Sequence, residues 1–185
     1  MDKDMTETLR RHLFAKKDAD IYAVLDGAAI PDLLDTLDDS KPLHACLFQN
    51  ADNSRVIKAT PYLVRLSPQS SFTEWLLVEY PGKHWGLLAM VPEQTPFIDL
   101  RNHFQQWLRV RLPDEKTALF RYYDPRVGNI FLPACNQREL QAFFRTVNSY
   151  VIGNTLKNEN QAWFIEYSLN MGILQQQFVP ADEKG

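Results

Sequence analysis

Apolar residues recur along this chain in two kinds of segment. Some are short runs without polar interruption, and others are longer stretches in which apolar side chains return every third or fourth position. Residues 5 to 16 set Leu9, Leu13 and Phe14 on one side of a first helix, with Arg10, Arg11, Lys16 and Lys17 elsewhere. Ile21 to Leu25 is apolar on both faces and stops at Asp26-Gly27, which predicts an interior strand covered by helices on both sides. Pro31 suits the first turn of a helix carrying Leu33, Leu34 and Leu37, and Leu43 to Phe48 is a second run of strand length. Residues 49 to 60 are polar and read as a surface connection before a third strand, Tyr62 to Leu66.

Ser71, with Glu74 three residues on, has the form of a capping box. It predicts a helix with Phe72, Trp75 and Leu76 turned inward and a stop at Pro81-Gly82. His84 to Val91 is again apolar on both faces. Thr95 and Pro96 supply a cap and a first-turn residue for a helix bearing Phe97, Leu100, Phe104, Trp107 and Leu108. The period then changes: Val110 and Leu112 alternate with Arg109 and Arg111, and Ala118 to Tyr123 follows a polar turn, as in a hairpin. Asn136 with Glu139 opens a further helix carrying Leu140, Phe143, Phe144 and Val147. A last pair of strands, Tyr150 to Ile152 and Ala162 to Tyr167, flanks a polar loop from Gly153 to Asn160, with Trp163, Ile165 and Tyr167 on one face. This order predicts an α/β fold in a single domain: a mixed, mostly parallel sheet flanked by helices, with antiparallel additions.

Length and composition narrow the function. At 185 residues the chain can bury a core without a disulfide or metal staple. Its 20 basic and 23 acidic side chains, with no basic block, do not form the footprint of a nucleic-acid-binding protein. Cys46 and Cys135 stand apart from each other and from histidine, so free, mostly buried thiols in a reducing compartment are expected. The charged start lacks the apolar core of a signal peptide, and no apolar run reaches the ~18 residues that span a bilayer. A cytoplasmic protein without membrane partners is the expectation.

Enzyme signatures are mostly missing. With 7 glycines there is no Gly-x-Gly-x-x-Gly, no phosphate loop, no Gly-x-Ser-x-Gly elbow and no His-Glu-x-x-His. His12, His44, His84 and His103 are too far apart to suggest a shared metal, so neither metal nor cofactor is expected. The most singular feature is Phe120-Arg121-Tyr122-Tyr123-Asp124-Pro125-Arg126-Val127. It has an architectural reading, in which Asp124 is an N-cap, Pro125 opens a helix, and Arg121 or Arg126 pairs with a carboxylate. It also has a functional one, a polar cluster at the mouth of the sheet. Asp26-Gly27 resembles such a mouth as well, but reads more simply as a strand-exit turn. Four tryptophans, Trp75 among them, and seven tyrosines supply amphipathic area, most of it expected in the core and some of it in a partner groove.

Taken in order, Tyr22 to Ala28, Pro61 to Leu66, Trp75 to Leu77, Gly86 to Leu88, Leu100 to Leu112 and Phe120 to Val127 resemble the adaptor or chaperone family of bacterial type VI secretion. The Tyr-Asp-Pro-Arg stretch is the most specific of these pieces. The family-like core spans residues 18 to 147, leaving 148 to 185 as a strand pair and polar tail. The resemblance implies a non-catalytic protein that binds a cognate effector near its N-terminal region and loads it onto the VgrG spike. Candidate contacts are Arg121, Tyr123, Asp124, Arg126, Asp26 and Trp75. The competing readings are a small ligand-binding domain or enzyme using the sheet mouth, with Asp26, Asp124 and Arg126 around a substrate, and an immunity protein that neutralises a toxin.

Overall fold

Both faces of a seven-stranded sheet are covered by helices, which explains why its central strands carry no polar alternation. A computed structural model describes residues 2–48, 54–155 and 163–179. In chain order the elements are α1 (Asp2–Phe14), β1 (Ala19–Asp26), α2 (Leu33–Ser40), β2 (His44–Cys46), α3 (Ser54–Ala59), β3 (Pro61–Leu66), α4 (Ser71–Glu79) and β4 (Gly86–Pro92). They continue with α5 (Phe97–Gln106), β5 (Arg109–Arg111), β6 (Thr117–Leu119), α6 (Pro125–Ala134), α7 (Gln137–Phe143), β7 (Ser149–Gly153), β8 (Phe164–Asn170) and β9 (Ile173–Val179). Parts of the expected 49 to 60 connection and of the Gly153 to Asn160 loop, the strand start at Ala162, and the tail from Pro180 lie outside the described residues.

The sheet runs β2-β3-β1-β4-β7-β8-β9, and every neighbouring pair is antiparallel. The expected mostly parallel sheet is therefore overturned. The reason lies in the crossovers. Strand β3, helix α4 and strand β4 form a crossover between strands of the same direction, but β1 is inserted between them and pairs with both. Likewise β1 and β2 are joined through α2 but separated by β3. Runs buried on both faces need helices above and below, and this arrangement supplies them without a parallel pair.

Side chains alternate between two cores. Tyr22, Val24, Leu87, Ala89, Tyr150, Ile152, Ile165 and Tyr167 face one layer, where α5, α6 and α7 contribute Leu100, Phe104, Leu132, Leu140 and Phe143. Ile21, Ala23, Leu25, Leu88, Met90, Val151 and Phe164 face the other, closed by Leu9 and Leu13 of α1, Leu33 and Leu37 of α2, and Phe72 and Leu76 of α4. Trp163 precedes β8 and packs on this second side, so it does not share the face of Ile165 and Tyr167. In the first core Phe143 and Tyr150 have ring centroids 4.7 Å apart. Most of the aromatic surplus is spent there.

Helix starts follow local chemistry, with small shifts. The Asn136 and Glu139 capping box is present in both directions, at 3.0 and 2.8 Å. For α4 the cap is Ser70, whose hydroxyl accepts from the Thr73 N–H at 3.0 Å, one residue ahead of the expected Ser71. Thr95 does not cap α5; its hydroxyl donates back to the Pro92 carbonyl at 2.7 Å. The second hairpin strand ends at Leu119, because the chain then turns, with the Asp124 N–H on the Arg121 carbonyl, and sends Tyr122 and Tyr123 into the core. The stretch expected as a plain connection ends in α3, and β9 pairs along its whole length with β8 through a two-residue turn.

Helix α1 is fastened to the sheet by a charge. Glu166 of β8 is buried and pairs with His12 at 2.8 Å and Lys16 at 3.2 Å. Burial alone would raise its pKa, but the hydrogen bonds from His12 and Ser149 and the nearby positive charges outweigh it and bring the carboxyl down to about 2.

Candidate functional site

Strand β1 ends on Asp26, whose alternation points its side chain to the α5 to α7 side of the sheet. The carboxylate is buried, 1% exposed. One oxygen accepts the Ala28 N–H at 3.0 Å, turning the chain out of the strand, and the other pairs with the Arg121 guanidinium. Gly27 follows because its N–H donates to the Thr60 carbonyl at 3.0 Å, and a side chain there would collide with the backbone carbonyls of Thr60 and Lys58.

The loop after β6 supplies the rest. Asp124 is the N-cap of α6 and Pro125 its first residue, as the architectural reading required. One Asp124 oxygen accepts the Arg126 N–H at 2.9 Å and its Nε at 3.0 Å, while the other accepts Arg126 Nη2 at 2.6 Å and lies 3.9 Å from Arg121 Nη2. Burial pushes the Asp124 carboxyl up. The hydrogen bonds from Arg126 and both guanidinium charges hold it below its ordinary value. Asp26, Arg121, Asp124 and Arg126 thus form one continuous chain of alternating charge, its Asp26–Arg121 link joining residues 95 apart in sequence.

The six candidate residues fall into three groups. Arg126 and Arg121 present partly exposed side chains, 58% and 39%. Asp26, Asp124 and Tyr123 are buried; the Tyr123 hydroxyl takes a hydrogen bond from Arg121, and burial, with the Asp26 charge, raises its pKa. Trp75 lies on the other side of the sheet, stacked on Trp85 at 5.6 Å, and is not part of the cluster. Its neighbour Trp85 touches the cluster through its carbonyl, which accepts the Asp26 N–H at 2.7 Å.

Beside Arg126 is a cleft of about 340 Å³ lined by Lys83, His84, Asn154, Thr155 and Trp163, with no acidic residue among the described lining positions. Its wall is held by Asn129 of α6, which donates to the Gly153 carbonyl at 2.8 Å and Thr155 Oγ1 at 2.9 Å while accepting from the Tyr167 hydroxyl at 2.9 Å. Sequence reasoning missed this cleft, because Lys83-His84 follows a helix stop and carries no motif. Among the described residues no three His, Cys, Asp or Glu side chains cluster as a metal site. Cys46 and Cys135 are free and half-buried. Among the described residues no helix is long and apolar enough to cross a membrane.

The model of a protein family described as a domain of unknown function, DUF4123, matches residues 21–142. Neither the curated proteins nor the solved structures contain a match. The matched segment runs from inside β1 to inside α7 and takes in every residue of the charge chain, while α1 and β7 to β9 lie beyond it. The chain belongs to the DUF4123 family.

Proposed function

We propose that this protein is a non-catalytic adaptor that holds a cognate type VI secretion effector, near the effector's N-terminal region, and delivers it to the VgrG spike. The observation that carries the reading is that the site's carboxylates are buried and already paired. Each oxygen of Asp26 and Asp124 already accepts from a backbone N–H or a guanidinium. A general base must reach a substrate proton, and both carboxylates are buried and turned to shaping the loop. What faces outward is cationic: Arg126, with Lys83 lining the same cleft. Such a surface suits an acidic stretch of polypeptide, and arginine and tryptophan are the side chains that concentrate binding energy. The resemblance of the sequence motifs to type VI adaptors supports the same role.

Co-expression with the effector and VgrG encoded beside it tests the proposal. A stable complex with the effector's N-terminal part is expected, weakened about tenfold or more by Arg126→Ala. A well-folded protein that binds neither neighbour overturns the reading. Capture of the toxic C-terminal domain alone marks an immunity protein, and turnover of a small molecule that Asp124→Asn abolishes marks an enzyme.

A further inference from the structure

Strand β9 closes one side of the sheet, and among the described residues nothing pairs with its outer edge. It runs Ile173-Leu174-Gln175-Gln176-Gln177-Phe178-Val179, paired with β8 residue for residue and without a bulge. Sheet edges of soluble proteins are ordinarily blunted by lysine, proline, a bulge or short length, and Ile173–Val179 has none of these devices within it. Gln175 and Gln177 on one face and Gln176 on the other are all exposed, so neither helical layer overhangs the edge. Ile173 is 64% exposed and the neighbouring Met171 94%.

The sequence of the strand reads the same in both directions by chemical type: two apolar residues, three glutamines, two apolar residues. Two copies laid antiparallel about Gln176 place Ile173 against Val179, Leu174 against Phe178, Gln175 against Gln177 and Gln176 against itself. A two-fold axis normal to the sheet keeps each residue on its own face, so apolar meets apolar and amide meets amide at every position. We propose that β9 is a homodimer interface, joining the sheets of two copies into one continuous antiparallel sheet across the Gln176 pair. The partner is a second copy of this chain because the pattern complements itself. The inference stands apart from the adaptor reading, and its test uses the protein without any effector.

Sedimentation of the full chain from micromolar to sub-millimolar concentration should show a species of twice 21.5 kDa. Gln176→Lys sets two like charges opposite each other on the axis and should weaken the dimer about tenfold or more, while the far-UV circular dichroism stays that of the native chain. As a second measurement, Gln176→Cys should cross-link to its own copy under mild oxidation, and Gln175→Cys, which faces Gln177, should do so far less. A wild-type chain that stays monomeric overturns the proposal. So does a dimer indifferent to Gln176→Lys, or a Gln176→Cys variant that cross-links no faster than Gln175→Cys. A monomer whose Gln176→Lys form loses the effector would assign the edge to a partner strand instead, and that too overturns self-pairing.

Discussion

Arg126 and Asp124 are bonded to each other, yet their substitution should give different results. Asp124 is buried and caps α6, so Asp124→Ala removes a cap worth about 1 kcal/mol together with two ion pairs, for a total loss of about 2 kcal/mol. Asp124→Asn retains an oxygen for the Arg126 N–H and should lose about half as much; denaturant midpoints measure both. Arg126 points largely to solvent but holds the buried Asp124 carboxylate, so Arg126→Ala should lower the midpoint by less than Asp124→Ala, which also loses the cap; its larger effect should be on effector binding. Two buried groups set the acid response. His103, packed among Phe104, Phe143 and Tyr150, is pushed down from 6.5 to about 4, chiefly by burial. The folded state thus resists its protonation, and stability present above pH 6.5 is lost as pH falls towards 4. Glu166, depressed from 4.5 to about 2, contributes stability that is complete above 4.5 and lost as pH falls through 2. Stability against urea should therefore fall in two successive windows, with His103→Leu removing the upper and Glu166→Gln the lower.

At the scale of elements, the close approaches matter more than the propensities. The turn after β1 needs Gly27 because the carbonyls of Thr60 and Lys58 occupy the space of a side chain. Gly27→Ala should cost about 2 kcal/mol or more, read from the thermal or urea midpoint, as backbone must shift to make room. The β8 to β9 turn places Met171 at φ 50° and Gly172 at φ 79°, the positive pair that a two-residue hairpin with right-handed strand twist requires. Asn170-Met171-Gly172 was the available sign of this hairpin. It is weak because a methionine rarely takes a positive φ, and the polar Gln175 to Gln177 run hides the strand that follows.

For the whole molecule, the family segment is not a self-contained layer. It ends in α7, and β7, which follows it, pairs with β4 in the middle of the sheet. Ile152, Ile165 and Tyr167 from β7 and β8 complete the core above which α5, α6 and α7 sit. A fragment ending at residue 147 would expose the β4 edge and one side of that core. It should fail to unfold cooperatively, by circular dichroism and calorimetry, where the full chain gives a single transition. Self-pairing through β9 would place the two Arg126 clefts in a fixed symmetric relation, so an adaptor built this way would present two docking sites at once.

Elements with local causes were legible in the sequence: the interior strand Ile21 to Leu25, the run Tyr62 to Leu66 as a strand, the Asn136 and Glu139 capping box, the Asp124-Pro125 helix start as one of two readings, and the inward face of Leu100, Phe104 and Phe143. These follow from periodicity and hydrogen-bond chemistry within a few residues. Strand direction was decided only in three dimensions, because a run apolar on both faces reports that helices lie above and below it and not which strand lies beside it. The pairing of Arg121 with Asp26, the cleft that Lys83 and His84 share with Arg126, and the removal of Trp75 to the opposite face were decided there too. Each joins residues far apart in the chain, and nothing local distinguishes an arginine that meets a buried carboxylate from one that meets water.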